Sequence, residues 1–326
     1  MREPFRRYIQ WSPLLREEVN KLMLDACYVV LHIAPGHGPE VGSIPLIVQN
    51  DGDRFELTDD IWIERLNEQL AKNIQKACEP PHYNISGSAW DRHLYAFVRR
   101  VPKVEKTNYE GMGALFTAVA LCRLINPTST GERYCAKVFQ VGSNDSPIQA
   151  IQFRGISPDV FLGKNARDWL SVHEGKALRK LMPWALQKPM HARVHRAYWY
   201  HEYAMRSYYL DARWTLIVSG LEALVNVEEQ NVRHQFRVRV KQIADEFQIK
   251  INTGELNKAY TLRSKLVHGE RFLFSLETVL PKDQQGEIYG RLELVLRKTV
   301  LRCLEDEKFG EYFRDDKAVK KRWTIS

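Results

Sequence analysis

Arg263-Ser264-Lys265-Leu266-Val267-His268, followed by Gly269, closes a segment in which Leu256, Ala259, Tyr260, Leu266 and Val267 recur at helical spacing. Arg263 falls near the middle of that apolar stripe. A guanidinium does not shed its proton, so a place on a core-facing stripe demands an anionic partner, either a carboxylate of the fold or a phosphate from outside. His268 adds an imidazole at the end of the segment, just before a glycine suited to terminate a helix. In an unbroken helix the two side chains lie about 140° apart, so one helix cannot turn both squarely toward one small ligand. Either the last turn unwinds at Gly269, or two copies of the helix combine their side chains.

Outward from this segment the chain stays helical. Upstream, Trp214, Ile217, Val218, Leu221, Leu224 and Val225 follow the amphipathic pattern, and Glu222 lies about 80° from Trp214, just outside the apolar stripe. A further helix runs through Val232, Phe236, Val240, Ile243 and Phe247, and a last one from Ile288 to Leu304. With the Arg263 helix between these two, the expected architecture from His191 onward is an antiparallel bundle of four or five helices. Trp169 to Trp184 is also helical, and Gln187-Lys-Pro-Met190 breaks it. The domain line is drawn there, with an α+β domain over residues 1–188 and an all-α bundle over 189–326.

Arginine, four residues and histidine at a helix end resemble the signature of the HEPN superfamily of helical ribonucleases and nucleotide-binding modules. The phrase Ala259-Tyr-Thr-Leu-Arg-Ser-Lys-Leu-Val-His-Gly269 is most similar to its Apea-like branch. That branch carries an acidic residue on a preceding helix within a Leu-Glu-Ala-Leu phrase, present here as Leu221-Glu222-Ala223-Leu224. Ser264 departs from the pattern, since many active members have Asn, Asp or His directly after the arginine. The resemblance covers only the C-terminal bundle. It implies a metal-independent endoribonuclease with Arg263 and His268 as catalytic residues and Glu222 and Ser264 in support. It further implies a homodimer whose two motifs face each other across a cleft, and a role in bacterial anti-phage defence or a toxin system. Some HEPN domains are inactive, which leaves a second reading open: a non-catalytic module that binds RNA or nucleotide, or dimerises and recruits a partner.

The residue chemistry fits that reaction. An RNA phosphodiester carries its own nucleophile, the 2′-hydroxyl, so cleavage requires a proton shuttle and a cation but no metal. Histidine can take or give a proton near neutrality, and arginine can pair bidentately with phosphate oxygens as charge builds in the transition state. A two-fold axis can also set Arg263 of one chain near His268 of the other. Without the resemblance, the same residues read as an Arg263–Glu222 ion pair beside a surface histidine at a helix cap.

The net charge of +8 over 326 residues favours a polyanionic partner, taken here as RNA of unknown class. Arg233, Arg237 and Lys241 form a basic row at i, i+4 and i+8 that can track a phosphate backbone or face solvent, while Arg239 lies on another face. The aromatics Tyr198, Trp199, Tyr200, Tyr203, Tyr208 and Tyr209 read either as base-stacking groups or as core and interface. The tail from Arg314 to Arg322 reads as a solvated end. Five cysteines without a CxxC pair suggest a reduced cytoplasmic protein, and the N-terminus lacks an apolar signal region. No membrane span, metal or cofactor is expected. His32, His37, His82 and His93 are scattered, and His191, His195 and His201 lack a carboxylate at zincin spacing.

The first half mixes strand and helix patterns. Ala26 to Ile33, Ile44 to Val48, Leu94 to Val98 and Tyr134 to Val141 read as strands, Ile61 to Ala77 as an amphipathic helix, and Met112 to Leu124 as a core helix. This part is assigned as a sensor or regulator that binds an unidentified trigger.

Overall fold

A computed structural model describes residues 26–32, 54–78, 95–101, 108–128, 132–139, 148–153, 170–207, 209–269 and 279–325. Strands β1 (Ala26–His32), β2 (Phe55–Glu56), β3 (Ile61–Arg65), β4 (Tyr95–Val101), β5 (Glu132–Phe139) and β6 (Ile148–Phe153) form one antiparallel sheet in the order β2-β3-β4-β1-β5-β6. β1 lies inside it, with Val29 opposite Val98 of β4 and Ala136 of β5. Helix α1 (Glu68–Cys78) covers one face, and α2 (Asn108–Ile125) lies against the other. The expected strands at Ala26, Leu94 and Tyr134 correspond to β1, β4 and β5; Ile44 to Val48 lies outside the described residues.

Ile61 to Ala77 is not one helix. Ile61 and Ile63 join the core on the α2 side while Trp62 joins the core on the α1 side, the period-two alternation of a strand sealed on both faces. The helical period starts only at Leu70, Ala71 and Ile74, after Asn67 Oδ1 accepts the Gln69 N–H at 2.8 Å.

The rest of the chain is helical: α3 (Val172–Gln187), α4 (Ala192–Arg206), α5 (Leu210–Val225), α6 (Val232–Glu246), α7 (Thr253–Val267), α8 (Lys282–Glu305), α9 (Glu307–Gly310), a 3-10 turn at Glu311–Phe313 and α10 (Asp316–Arg322). Helices α3 and α7 each begin with a capping box, Ser171 with Glu174 and Asn252 with Glu255. No helix among the described residues is long and apolar enough to cross a membrane. α4 and α5 run antiparallel, and their approach depends on Gly220. A Cβ there would meet Leu296 Cδ2 of α8 at 2.7 Å and Tyr200 Cβ of α4 at 3.2 Å.

The tail is solvated along its charged residues, as expected, but it is also anchored: α10 buries Val319 and delivers Trp323 into an aromatic cluster whose nearest ring, Phe313, is 4.7 Å away between centroids. Two of its exposed cations also pair, Lys320 with Glu228 at 2.6 Å and Arg322 with Glu246 at 2.9 Å. The line at residue 188 falls between the helices α3 and α4, and packing continues across it. One buried cluster runs from Ile61, Ile63 and Phe97 through Leu115, Val119 and Leu121 of α2 to Trp214 and Leu296 in the bundle. α2 is apolar around most of its circumference because it is covered by the sheet on one side and by the bundle on the other.

Candidate functional site

α5 and α7 meet where the two sequence phrases meet. Trp214 Nε1 on α5 donates to the Ala259 carbonyl on α7 at 3.2 Å, which fixes the axial register of the pair. Further along the same contact, Arg263 Nη2 lies 2.8 Å from Glu222 Oε2 and donates to Ser219 Oγ at 3.4 Å. Arg263 sits on the inward side of α7 because Leu256, Ala259 and Leu262 are buried on the same side and set the helix's rotation. Its side chain is nevertheless 24% exposed and that of Glu222 14%, since both open into a cleft rather than into the core.

That cleft, about 340 Å³, is lined by Arg193, Arg196 and Tyr200 of α4, Ser219, Glu222 and Ala223 of α5, the adjoining Asn226, and Arg263. Three guanidiniums therefore face one carboxylate. Arg193 is held by the C-terminal carbonyls of α5, with Nη1 donating to Ala223 at 3.0 Å and Asn226 at 2.8 Å, and it also pairs with Asp316. Arg196 is exposed and makes no hydrogen bond or ion pair with any described residue. Burial pushes the Glu222 carboxyl above its ordinary value, against the pull of Arg263 and of the Tyr260 hydroxyl that donates to it. Arg263 Nε and Asn226 Oδ1 are buried without a hydrogen-bond partner among the described residues. An excess of positive charge, a disfavoured carboxylate and an idle buried donor make this cleft electrostatically suited to an anion.

His268 is not part of it. The last turn of α7 stays wound, with the His268 N–H donating to the Ser264 carbonyl at 3.0 Å and Gly269 in the left-handed region at φ +69°. The imidazole is carried on an exposed C-cap outside the cleft lining. Unwinding at Gly269, one of the two resolutions of the 140° separation, is therefore not realised in this conformation. Ser264 contributes its carbonyl to the helix end and does not line the cleft.

The basic row lies on α6, but each member has an intramolecular partner. Arg233 donates to Asn257 Oδ1 and Thr261 Oγ1, both at 2.7 Å, Arg237 meets His234 Nδ1 at 3.1 Å, and Lys241 pairs with Asp245 at 2.5 Å. Arg239 points inward, donating to the carbonyls of Trp323 at 3.0 Å and Val225 at 2.8 Å. His191 faces Glu311 at 2.9 Å, and His201 is buried against Glu293 at 2.9 Å. No group of three or more His, Cys, Asp or Glu side chains among the described residues is placed to hold a metal ion.

Sequence reading missed Arg193, Arg196 and Asn226. Arg196 and Tyr200 stand one turn apart in Arg196-Ala-Tyr-Trp-Tyr200, a signal overshadowed by the aromatic run around it. Asn226 leaves no sequence signal, since its role comes from standing at the end of α5 beside α4. Compared with protein-family models, curated proteins and solved structures, the chain matches none of them.

Proposed function

We propose that this protein is a metal-independent endoribonuclease of the HEPN type, acting as a homodimer through its helical bundle. The observation that carries this reading is the Arg263–Glu222 pair. Two phrases on separate helices, singled out by their resemblance to one family, meet at 2.8 Å on the floor of an arginine-rich cleft. In the reaction the RNA 2′-oxygen bonds to the adjacent phosphorus while the bond from phosphorus to the 5′-oxygen breaks. The products are a 2′,3′-cyclic phosphate and a 5′-hydroxyl. Arg263 balances the charge on the phosphoryl oxygens, and Glu222 orients the guanidinium. His268 of the second protomer moves the proton, because within one chain it stands outside the cleft. The sheet and its two helices serve as the sensor for a trigger, in the setting of anti-phage defence or a toxin system.

The exposed position of His268 also favours a second reading, in which the bundle binds RNA or a nucleotide without cutting it. Incubating the full chain with RNA in EDTA separates the two. Cleavage should persist and leave cyclic phosphate ends, and both His268→Ala and Arg263→Ala should abolish it. Mixing the two inactive variants should restore partial activity if each site takes its arginine from one protomer and its histidine from the other. Undiminished cleavage by His268→Ala refutes the catalytic assignment, and an intact substrate with wild-type protein leaves the binding module.

A further inference from the structure

The cleft continues onto a face of α4 that the reaction does not use. Arg196, Trp199, Tyr200 and Tyr203 stand at i, i+3, i+4 and i+7, one continuous stripe along the helix. Arg196 and Tyr200 line the cleft, and Trp199 and Tyr203 extend the stripe beyond it. The Trp199 and Tyr203 rings lie 5.8 Å apart between centroids, tilted by 31° to one another, so the two form one adjoining aromatic surface. Trp199 is fixed in orientation by its Nε1 donating to His195 Nε2 at 2.9 Å and by an edge contact with Tyr198 at 5.5 Å. Tyr203 is 54% exposed, a large aromatic surface left open to solvent.

From this arrangement, and resting on the nuclease reading above, we infer that the outer face of α4 is a single-stranded RNA platform: Arg196 takes a backbone phosphate at the cleft mouth, and Trp199 and Tyr203 stack an unpaired base next to the scissile one. Charge and shape both favour this occupant. Arg196 is a cationic side chain without a described protein partner, and it stands on the same stripe as the aromatic pair while lining a cleft already rich in guanidinium. A base offers a π-face of any identity to the aromatic pair while its phosphate reaches the arginine, the combination that single-strand binders use. A duplex keeps its bases stacked on one another and gains nothing from the rings.

The test measures binding of a fluorescently labelled single-stranded RNA to full-length His268→Ala protein, in which cleavage does not obscure the reading. The paired change Trp199→Ala with Tyr203→Ala should weaken binding roughly tenfold or more, and Trp199→Phe with Tyr203→Phe should largely restore it. Arg196→Ala should weaken binding and reduce its salt dependence, and duplex RNA of the same length should bind no better to the His268→Ala protein than to the paired alanine variant. Unchanged single-strand affinity in a folded paired alanine variant overturns the platform while leaving the nuclease reading standing. If that variant instead turns a dimer into a monomer at unchanged RNA affinity, the face is a contact between copies and the inference falls. Failure of the His268→Ala parent to bind single-stranded RNA overturns the platform, and wild-type cleavage in EDTA then decides separately whether the nuclease reading stands.

Discussion

Two arginine–carboxylate pairs in this molecule are built from the same chemical groups and are opposite in character. Between α2, α4 and α8, Glu202 is 1% exposed and is held by Arg123, fully buried, and by Arg206 at 2.5 Å. Beside it Glu293 accepts from His201 at 2.9 Å and from Arg297 at 2.8 Å. Burial alone would raise both carboxyls, but the cations and hydrogen bonds around them hold them below their ordinary values. In the cleft, Glu222 has one cation and a tyrosine hydroxyl, and burial wins. The first cluster is electrostatically complete, so it locks elements together: Arg297 Nη1 even donates to the Ile125 carbonyl at the end of α2, tying the sheet-bearing half to the bundle. The second is incomplete, with Arg263 Nε and Arg196 lacking partners among the described residues, and incompleteness is what a binding site requires.

The strongest challenge to that contrast is removal of each carboxylate. Glu202→Ala leaves Arg123 sealed without a counter-charge and should cost about 3–5 kcal/mol in denaturant unfolding. Glu222→Ala should cost about 1 kcal/mol, because Arg263 is reached by water, yet it should impair RNA cleavage far more than it impairs folding. Equal losses of stability would make the cleft pair another structural lock.

Acid sharpens the same contrast. A carboxyl held below its unfolded value adds stability that is present above that value and is lost as pH falls through the folded one. Glu202 and Glu293 should therefore make stability decline as pH falls below the ordinary glutamate value of 4.5, and Glu202→Gln should flatten that decline. Glu222 has the opposite sign: its raised value means that ionisation costs stability as pH rises through 4.5, so Glu222→Gln should steepen the acid decline slightly. Melting curves of the three proteins between roughly pH 3 and 7 decide it, and identical profiles for the two variants would break the distinction.

A smaller effect tests whether the cleft depends on the spacing of α4 and α5. Gly220→Ala places a methyl against Leu296 and Tyr200 and should cost about 1–2 kcal/mol as α4 shifts outward. RNA affinity should fall alongside stability, and a neutral outcome would mean that Leu296 alone gives way. The smallest expected signal is from inorganic phosphate, which should raise the melting temperature by about 1–2 °C through the cleft. Arg196→Ala should abolish that rise and Glu202→Gln should leave it intact.

Periodicity in the sequence was enough to place α5, α6, α7 and the greater part of α8, because each buries one stripe against neighbours close in sequence. It also located β1, β4 and β5, and it marked Arg263 as a cation out of place on an apolar stripe. It misread Ile61 to Arg65, where a strand sealed on both faces and an amphipathic helix show similar runs of apolar residues until the sheet is known. It read the exposed charges of the tail correctly but not its anchor, since α10 is short and strongly basic and only Val319 and the adjoining Trp323 reach the core.

The sequence alone determined that Arg263 needed an anion and that Glu222 was a candidate, because both facts depend on residue type and helical angle. The tertiary structure decided the rest of that account. It brought Glu222 to Arg263, added Arg193 and Arg196 from α4, and left His268 outside on an exposed cap. It also gave the buried Arg123 its carboxylate on a helix far along the chain. Helical angles follow from local geometry, whereas the charge that a side chain meets depends on which distant helix the packing of the core sets opposite it.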